Sequence, residues 1–200
     1  IGYLSYDLAY QLYNIKAKAK NELKLPKIYF LAYKNWLETE SKSLKNTKLF
    51  KANFPKTAKS TNFKATITKD AYKNAYKKIQ HYIREGDIYQ INLTHRLEAE
   101  TTIPPRELFL KIIQSNPVDF LAYIEGKNFE ILSASPERFI KIENDKIETC
   151  PIKGTRPRGK TPQQDKKLAA ELLKSAKEAA ELNMITDLLR NDLGKVCKPN

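Results

Sequence analysis

From Lys69 to Glu85 the apolar positions recur at helical spacing, with Tyr72, Ala75, Tyr76, Ile79 and Ile83 on one face. Thr68 stands where an N-cap is wanted, and Gly86 where a left-handed residue closes a helix, so the pattern predicts a helix over 69–85. The period then changes to two. In "DIYQINLTHRLEAE", Ile91, Leu93 and Leu97 alternate with Asn92, Thr94 and Arg96, which predicts a strand with one wet face. Pro104 and Pro105 open a helix to about Gln114. Short strands follow near 119–125, 128–134, 137–142 and 146–150, with Gly126-Lys127 and Asn144-Asp145 as tight turns, and they read as an antiparallel meander. Two capped helices end the pattern. Thr161, Pro162 and Gln164 start one, and Ser175 with Glu178 starts the other, which runs to about Arg190. Before residue 69 the pattern is weaker: strands over 3–10 and 27–33, a helix over 9–20 between them, and a polar aperiodic excursion over 38–65. Strands and helices in blocks, with no internal repeat, predict an α+β chain.

Two hundred residues with 41% hydrophobic content fit a single domain with a real core. No apolar run approaches the roughly 20 residues that cross a bilayer. Cys150 and Cys197 make neither a disulfide framework nor a metal spacing, so they read as small buried hydrophobes in a reducing cytoplasm. The formal charge of +13 raises the possibility of a nucleic-acid interface. The lysines, however, are scattered among Asn, Ile and Tyr instead of forming a stripe, and an anionic small-molecule substrate suits the charge equally well. The opening "IGYLSYDLAY" and the closing "KVCKPN" both read as cut ends.

Three segments carry candidate chemistry. In "SASPERF", Pro136 keeps its neighbour extended and presents the Glu137 carboxylate at a strand edge. In "CPIKGTRPRG", Lys153 lies between a short apolar run and a Gly-Thr turn. A lysine attacks carbon only as the neutral amine, which burial or the nearby Arg156 and Arg158 would favour, while Gly154-Thr155 leaves backbone N–H groups free to hold an anion. In "KEAAELNMITDLLRNDLGKVC", Glu178 and Glu181 lie three apart on one helix face, a pair of hard oxygen donors suited to Mg²⁺. Glu178 can serve as a capping residue instead. Glu181 has no such local role, and falls with Ile185 and Leu188 on what should be a half-buried face.

Together, "GDIYQINLTHR", "SPERF", "PIKGTRPRG" and "DLLRNDLGKV" resemble the chorismate-utilising enzymes, which include the large subunits of anthranilate synthase and aminodeoxychorismate synthase. The resemblance is strong over residues 66–200. It is weak over 1–65, where "GYLSYDL" and "PKIYFLAYKNW" carry it. It implies one chorismate-binding domain, incomplete at both ends, with two packed antiparallel sheets and helices outside. The implied substrate is chorismate, the implied cofactor is Mg²⁺, and the implied partner is a glutaminase subunit that supplies ammonia. By the same resemblance, Lys153 is the nucleophile and Glu137 the general acid/base. Gly154 and Thr155 bind a substrate carboxylate, and Glu181, with Glu178 behind it, forms the first half of the Mg²⁺ site. Relatives of the anthranilate type carry alanine in place of Lys153, so the lysine points to amination at C4, giving 4-amino-4-deoxychorismate in the folate branch. Gln90 argues against the water-adding relatives, which place a base lysine there. Asp119, Phe120 and Leu121 occupy a tryptophan-type effector pocket, and Asp119 breaks its pattern. "ELNM" keeps the metal carboxylate but changes its neighbours. The family's later elements are a histidine near the enolpyruvyl group, a second metal-binding glutamate and a glycine-rich loop. All three are missing from these 200 residues, so the chain alone is expected to be inactive. The rival readings are an anthranilate synthase component I and a basic nucleic-acid-binding module.

Overall fold

Residues 1–16, 21–38 and 59–198 are described by the structure, a computed structural model. They group into two units, Ile1–Ala32 with Ile112–Asn200, and Tyr33–Lys111. At the start of the first unit, β1 (Gly2–Leu4) pairs antiparallel with β2 (Ile28–Phe30), Tyr3 opposite Tyr29. The strand predicted over 3–10 stops at Leu4. Ser5 Oγ accepts the Asp7 N–H at 3.2 Å, and this local bond starts a 3₁₀ turn over Tyr6–Leu8. Helix α1 (Ala9–Leu12) follows and is shorter than the 9–20 predicted, because Asn14 takes a φ of 50° and ends it; residues 17–20 lie outside the described residues.

In the second unit, most of the polar excursion lies outside the described residues, at 39–58. Its end is a ladder. β3 (Lys64–Ala65) pairs with β4 (Leu97–Glu98), and Thr61 N–H donates to the Glu100 carbonyl at 2.9 Å. Thr68 Oγ1 accepts the Ala71 N–H at 3.2 Å and starts α2 (Lys69–Glu85), which Gly86 closes at φ 80°. The long strand predicted over 87–100 is reduced to β4. Period-two alternation marks a chain that could pair, but the strand exists only opposite a partner. The 59–66 segment reaches no further than Arg96, whose carbonyl accepts the Thr66 N–H at 2.9 Å. Helix α3 (Pro105–Ser115) buries Leu110.

The remainder of the first unit holds the clearest sheet structure. β5 (Phe120–Glu125) and β6 (Glu130–Ser135) pair along their whole length around the buried Ile124. Gly126 lies beneath the Phe129 ring, where any Cβ would meet ring atoms at 2.6 Å. The same ring packs edge-on to Tyr3 and Tyr29, with centroids 6.3 and 5.2 Å away. β7 (Arg138–Glu143) and β8 (Lys146–Cys150) form a second hairpin. Its turn places Asn144 and Asp145 at φ 48° and 61°, the doubly left-handed geometry of a tight hairpin. These four strands are two hairpins instead of one meander. Pro136 has no N–H to offer, and Ser135 Oγ accepts the Glu137 N–H at 3.2 Å, so the chain bends between β6 and β7 and the two do not pair.

Helix α4 (Pro162–Leu173) is capped by Thr161, whose Oγ1 accepts the Gln164 N–H at 3.2 Å. Gln164 Oε1 in turn accepts the Lys160 N–H at 2.8 Å. Helix α5 (Ala176–Gly194), capped by Ser175, runs four residues beyond the predicted end. The chain is therefore α+β, with all of its described strands antiparallel and paired two by two. Among the described residues only Leu110 and Ile124 are buried, and no helix is long and apolar enough to cross a membrane.

Candidate active site

The β7–β8 hairpin sets the geometry. Arg138 pairs with Cys150, so Glu137 and the Pro151–Ile152 segment emerge side by side from the same end. Glu137 Oε1 accepts the Ile152 N–H at 3.0 Å, leaving the second carboxylate oxygen without a hydrogen-bond donor among the described residues. Lys153 is the next residue and is half-buried. One backbone register thus places Glu137 beside the residue that precedes Lys153.

Gly154 turns the chain at φ 78°, in close quarters: a Cβ there would stand 2.7 Å from Leu172 Cδ1 and 3.0 Å from Glu178 Oε2. Helices α4 and α5 therefore both press on this residue, and glycine is required for its conformation and for its lack of a side chain. The backbone N–H groups of Lys153, Gly154 and Thr155 donate to no acceptor among the described residues. They remain available to an anion.

The two arginines of the loop are both engaged. Arg156 Nη1 donates to the Thr155 carbonyl at 2.8 Å and to Glu178 Oε1 at 3.3 Å. Arg158 forms a two-pronged bond to Asp165, Nε at 2.8 Å and Nη2 at 2.7 Å, and the Gly159 N–H adds a third bond to the same carboxylate at 2.7 Å. The hydrogen bond from Arg158, then that from Gly159, holds the Asp165 carboxyl down to about 2, and Asp165 raises Arg158 in return. Gly159 also tolerates no Cβ, which would collide with the Asp165 backbone nitrogen. Each positive charge expected to act on Lys153 therefore has its own carboxylate. Asp165 carried only one sequence signal, an acidic side chain in the first turn of a helix.

On α5 the half-buried positions are Glu178, Glu181, Leu182, Ile185, Leu189 and Leu193, a stripe at helical spacing that places both glutamates on one face. Leu188, expected on that face, is 44% exposed, since it lies about 85° around the helix from the centre of the stripe. Two carboxylates one turn apart are the complement that a Mg²⁺ ion commonly takes from a protein, and the described residues contain no group of three or more metal ligands. Glu178 is already bonded to Arg156, and Glu181 lies one turn further along the same face.

The other predicted positions lie elsewhere. Phe120 and Leu121 pair with Ser135 and Ala134 in β5–β6; as strand neighbours they face opposite sides, with Asp119 exposed before them. The Arg138 guanidinium sits 5.6 Å from the Phe120 ring centroid and also pairs with Glu148. Gln90 is half-buried in the second unit. Cys150, expected buried, is exposed at the last position of an edge strand, with Sγ 3.6 Å from Glu148 Oε1; Cys197 is half-buried.

The profile of the chorismate binding enzymes matches residues 1–200, the entire chain. The chain belongs to the chorismate-binding enzyme family. Aminodeoxychorismate synthase component 1 of Bacillus subtilis is 35% identical, over 99% of this chain and 48% of the relative. Anthranilate synthase component 1 of Thermus thermophilus is 32% identical, over 98% and 48%. Among solved structures, anthranilate synthase component I from Streptococcus pneumoniae superposes with a TM-score of 0.74 at 25% identity, covering 98% of this chain and 49% of that one. The chain spans about half the length of these relatives. Relatives named for either reaction match at comparable identity, so overall similarity does not separate the two chemistries.

Proposed function

We propose that this chain is the chorismate-binding part of an aminodeoxychorismate synthase component 1, aminating chorismate at C4 with ammonia from a glutaminase partner. The observation that carries the proposal is Lys153, held one residue beyond the Glu137–Ile152 bond, where a nucleophile and a proton carrier are needed side by side. An alanine at that position could not form a covalent intermediate, and relatives of the anthranilate type carry one.

The chemistry assigns work to each group. Lys153 Nζ bonds to the chorismate ring as the C4 hydroxyl departs, and ammonia then bonds at C4 as the lysine is expelled. Glu137 takes the proton that the amine loses and returns one to the leaving hydroxyl through its unbonded oxygen. Because Arg156 and Arg158 are neutralised by Glu178 and Asp165, this direct proton transfer is favoured over activation by neighbouring charge. The N–H groups of Gly154 and Thr155 hold a substrate carboxylate. Glu181, with Glu178 behind it, would hold Mg²⁺, which supplies charge stabilisation to the departing oxygen when bound. Asp119, Phe120 and Leu121 have no role in this scheme.

The test is intact-protein mass spectrometry, on protein expressed from the whole reading frame that contains this chain, incubated with chorismate and Mg²⁺ without ammonia. A substrate-derived adduct mapping to Lys153, absent in Lys153→Ala, is the expected result. An adduct that persists in the variant, or wild-type production of aminodeoxychorismate by it, would overturn the assignment. Anthranilate as the sole product with ammonia present would transfer the chain to the second reading, an anthranilate synthase component 1, the name the Thermus relative carries.

A further inference from the structure

An arginine next to a loop that receives an anionic substrate is ordinarily taken as the cation that binds it. The geometry points to a different role for Arg156. We propose that Arg156 and Glu178 act as a single positioning unit, which fixes the Thr155–Arg156 peptide of the loop and makes no bond to the substrate. This rests on the reading of Lys153–Thr155 as the substrate loop.

The Arg156 side chain is only 30% exposed and that of Glu178 only 18%. One nitrogen, Nη1, serves both the Glu178 carboxylate and the Thr155 carbonyl. Glu178 is itself fixed twice. Its N–H is capped by Ser175 Oγ at 3.4 Å, and its Oε2 lies 3.0 Å from the point where a Gly154 Cβ would stand, a space open only because residue 154 is glycine. The chain of contacts therefore runs from α5 through Glu178 and Arg156 to a single peptide plane. In a trans peptide the carbonyl and the N–H point in opposite directions. By holding the Thr155 carbonyl toward itself, Arg156 turns the N–H of its own peptide away, toward the side opposite the guanidinium. With α5 carrying Glu181 on the same half-buried face as Glu178, the pair also keeps the amide cradle in register with the helix that carries both carboxylates.

A double-mutant cycle separates positioning from binding, because residues that act as a unit are not additive. Chorismate dissociation constants would be measured by titration calorimetry, on protein from the whole reading frame, for wild type, Arg156→Gln, Glu178→Gln and the double variant. Each single change is expected to weaken binding about tenfold, and the double change also only about tenfold, instead of the roughly hundredfold that independent contacts would give. A further loss on removing Arg156 in the Glu178→Gln background would assign Arg156 to the substrate and overturn the proposal. So would singles that bind as wild type does. Amide exchange at Ile152 and Gly159, whose hydrogen bonds to Glu137 and Asp165 flank the loop, measured without ligand, tests the same pair should chorismate binding be lost altogether. It should accelerate equally in both singles. Unchanged exchange would overturn the proposal. Failure of the wild-type protein to bind chorismate would sink the functional reading and leave the exchange result to decide the pair.

Discussion

Gly154 and Gly86 offer an internal comparison that isolates one contact. Their φ angles are 78° and 80°, so alanine at either position meets the same left-handed strain, about 1–2 kcal/mol, partly offset by the lower entropy of the unfolded chain. Their surroundings differ. Nothing lies within 4 Å of a Cβ at Gly86, whereas at Gly154 the methyl would reach Leu172 Cδ1 at 2.7 Å and Glu178 Oε2 at 3.0 Å. Overpacking of this kind costs about 1–3 kcal/mol, because Leu172 must change rotamer and Glu178 must retreat from Arg156. Gly86→Ala should therefore cost about 1 kcal/mol and Gly154→Ala about 2–4 kcal/mol. The excess corresponds to a roughly 5- to 150-fold larger opening equilibrium. The two glycines lie in different units, so the readout must be local. Hydrogen exchange at Gly86 and Asp87, which donate to the Ile83 and Tyr82 carbonyls, reports the first; exchange at Ile152 and Gly159, which donate to Glu137 and Asp165, reports the second. If Gly154→Ala accelerates exchange in its loop no more than Gly86→Ala does at the end of α2, then Glu178 and Leu172 are not packed against the glycine. The coupling of loop to helix would fail with it.

Asp165, held down to about 2 by Arg158 and Gly159, should stay ionised well below an ordinary aspartate near 3.8. Its folded value is depressed, so its contribution to the loop is complete above about pH 4 and is lost as pH falls through about 2; a carboxyl titration followed by NMR that gives an ordinary value would refute the three-bond geometry. Thr161→Ala removes the cap of α4 and should cost about 1 kcal/mol in exchange protection at Gln164, whereas Thr161→Ser should restore it. Glu181→Gln, in protein from the whole reading frame, should raise the Mg²⁺ concentration needed for adduct formation at Lys153 at least tenfold; an unchanged Mg²⁺ dependence would remove Glu181 from the metal site.

The features legible in the chain were those decided within a few residues. Thr68 and Gly86 bracket α2 because a cap bonds a backbone N–H three positions away and a left-handed residue needs only its own φ. Asn144-Asp145 sets the β7–β8 turn for the same reason, and that register alone brings Glu137 beside the residue that precedes Lys153. Ser5 and Pro136 also act locally, but against the period-two pattern, so the strand over 3–10 stops short and the meander breaks into hairpins. Other features depend on a partner far along the chain. Whether residues 87–96 pair depends on how far 59–66 extends, and alternation carries no information about that. The neutralisation of Arg156 by Glu178, 22 residues on, is the clearest case. In sequence the two arginines read as free positive charge near Lys153, because spacing reveals neighbours along the chain and not the carboxylates on α4 and α5 that packing delivers. A charge's effect on its surroundings depends on what else lies within a few ångströms of it, and only the tertiary structure decides that.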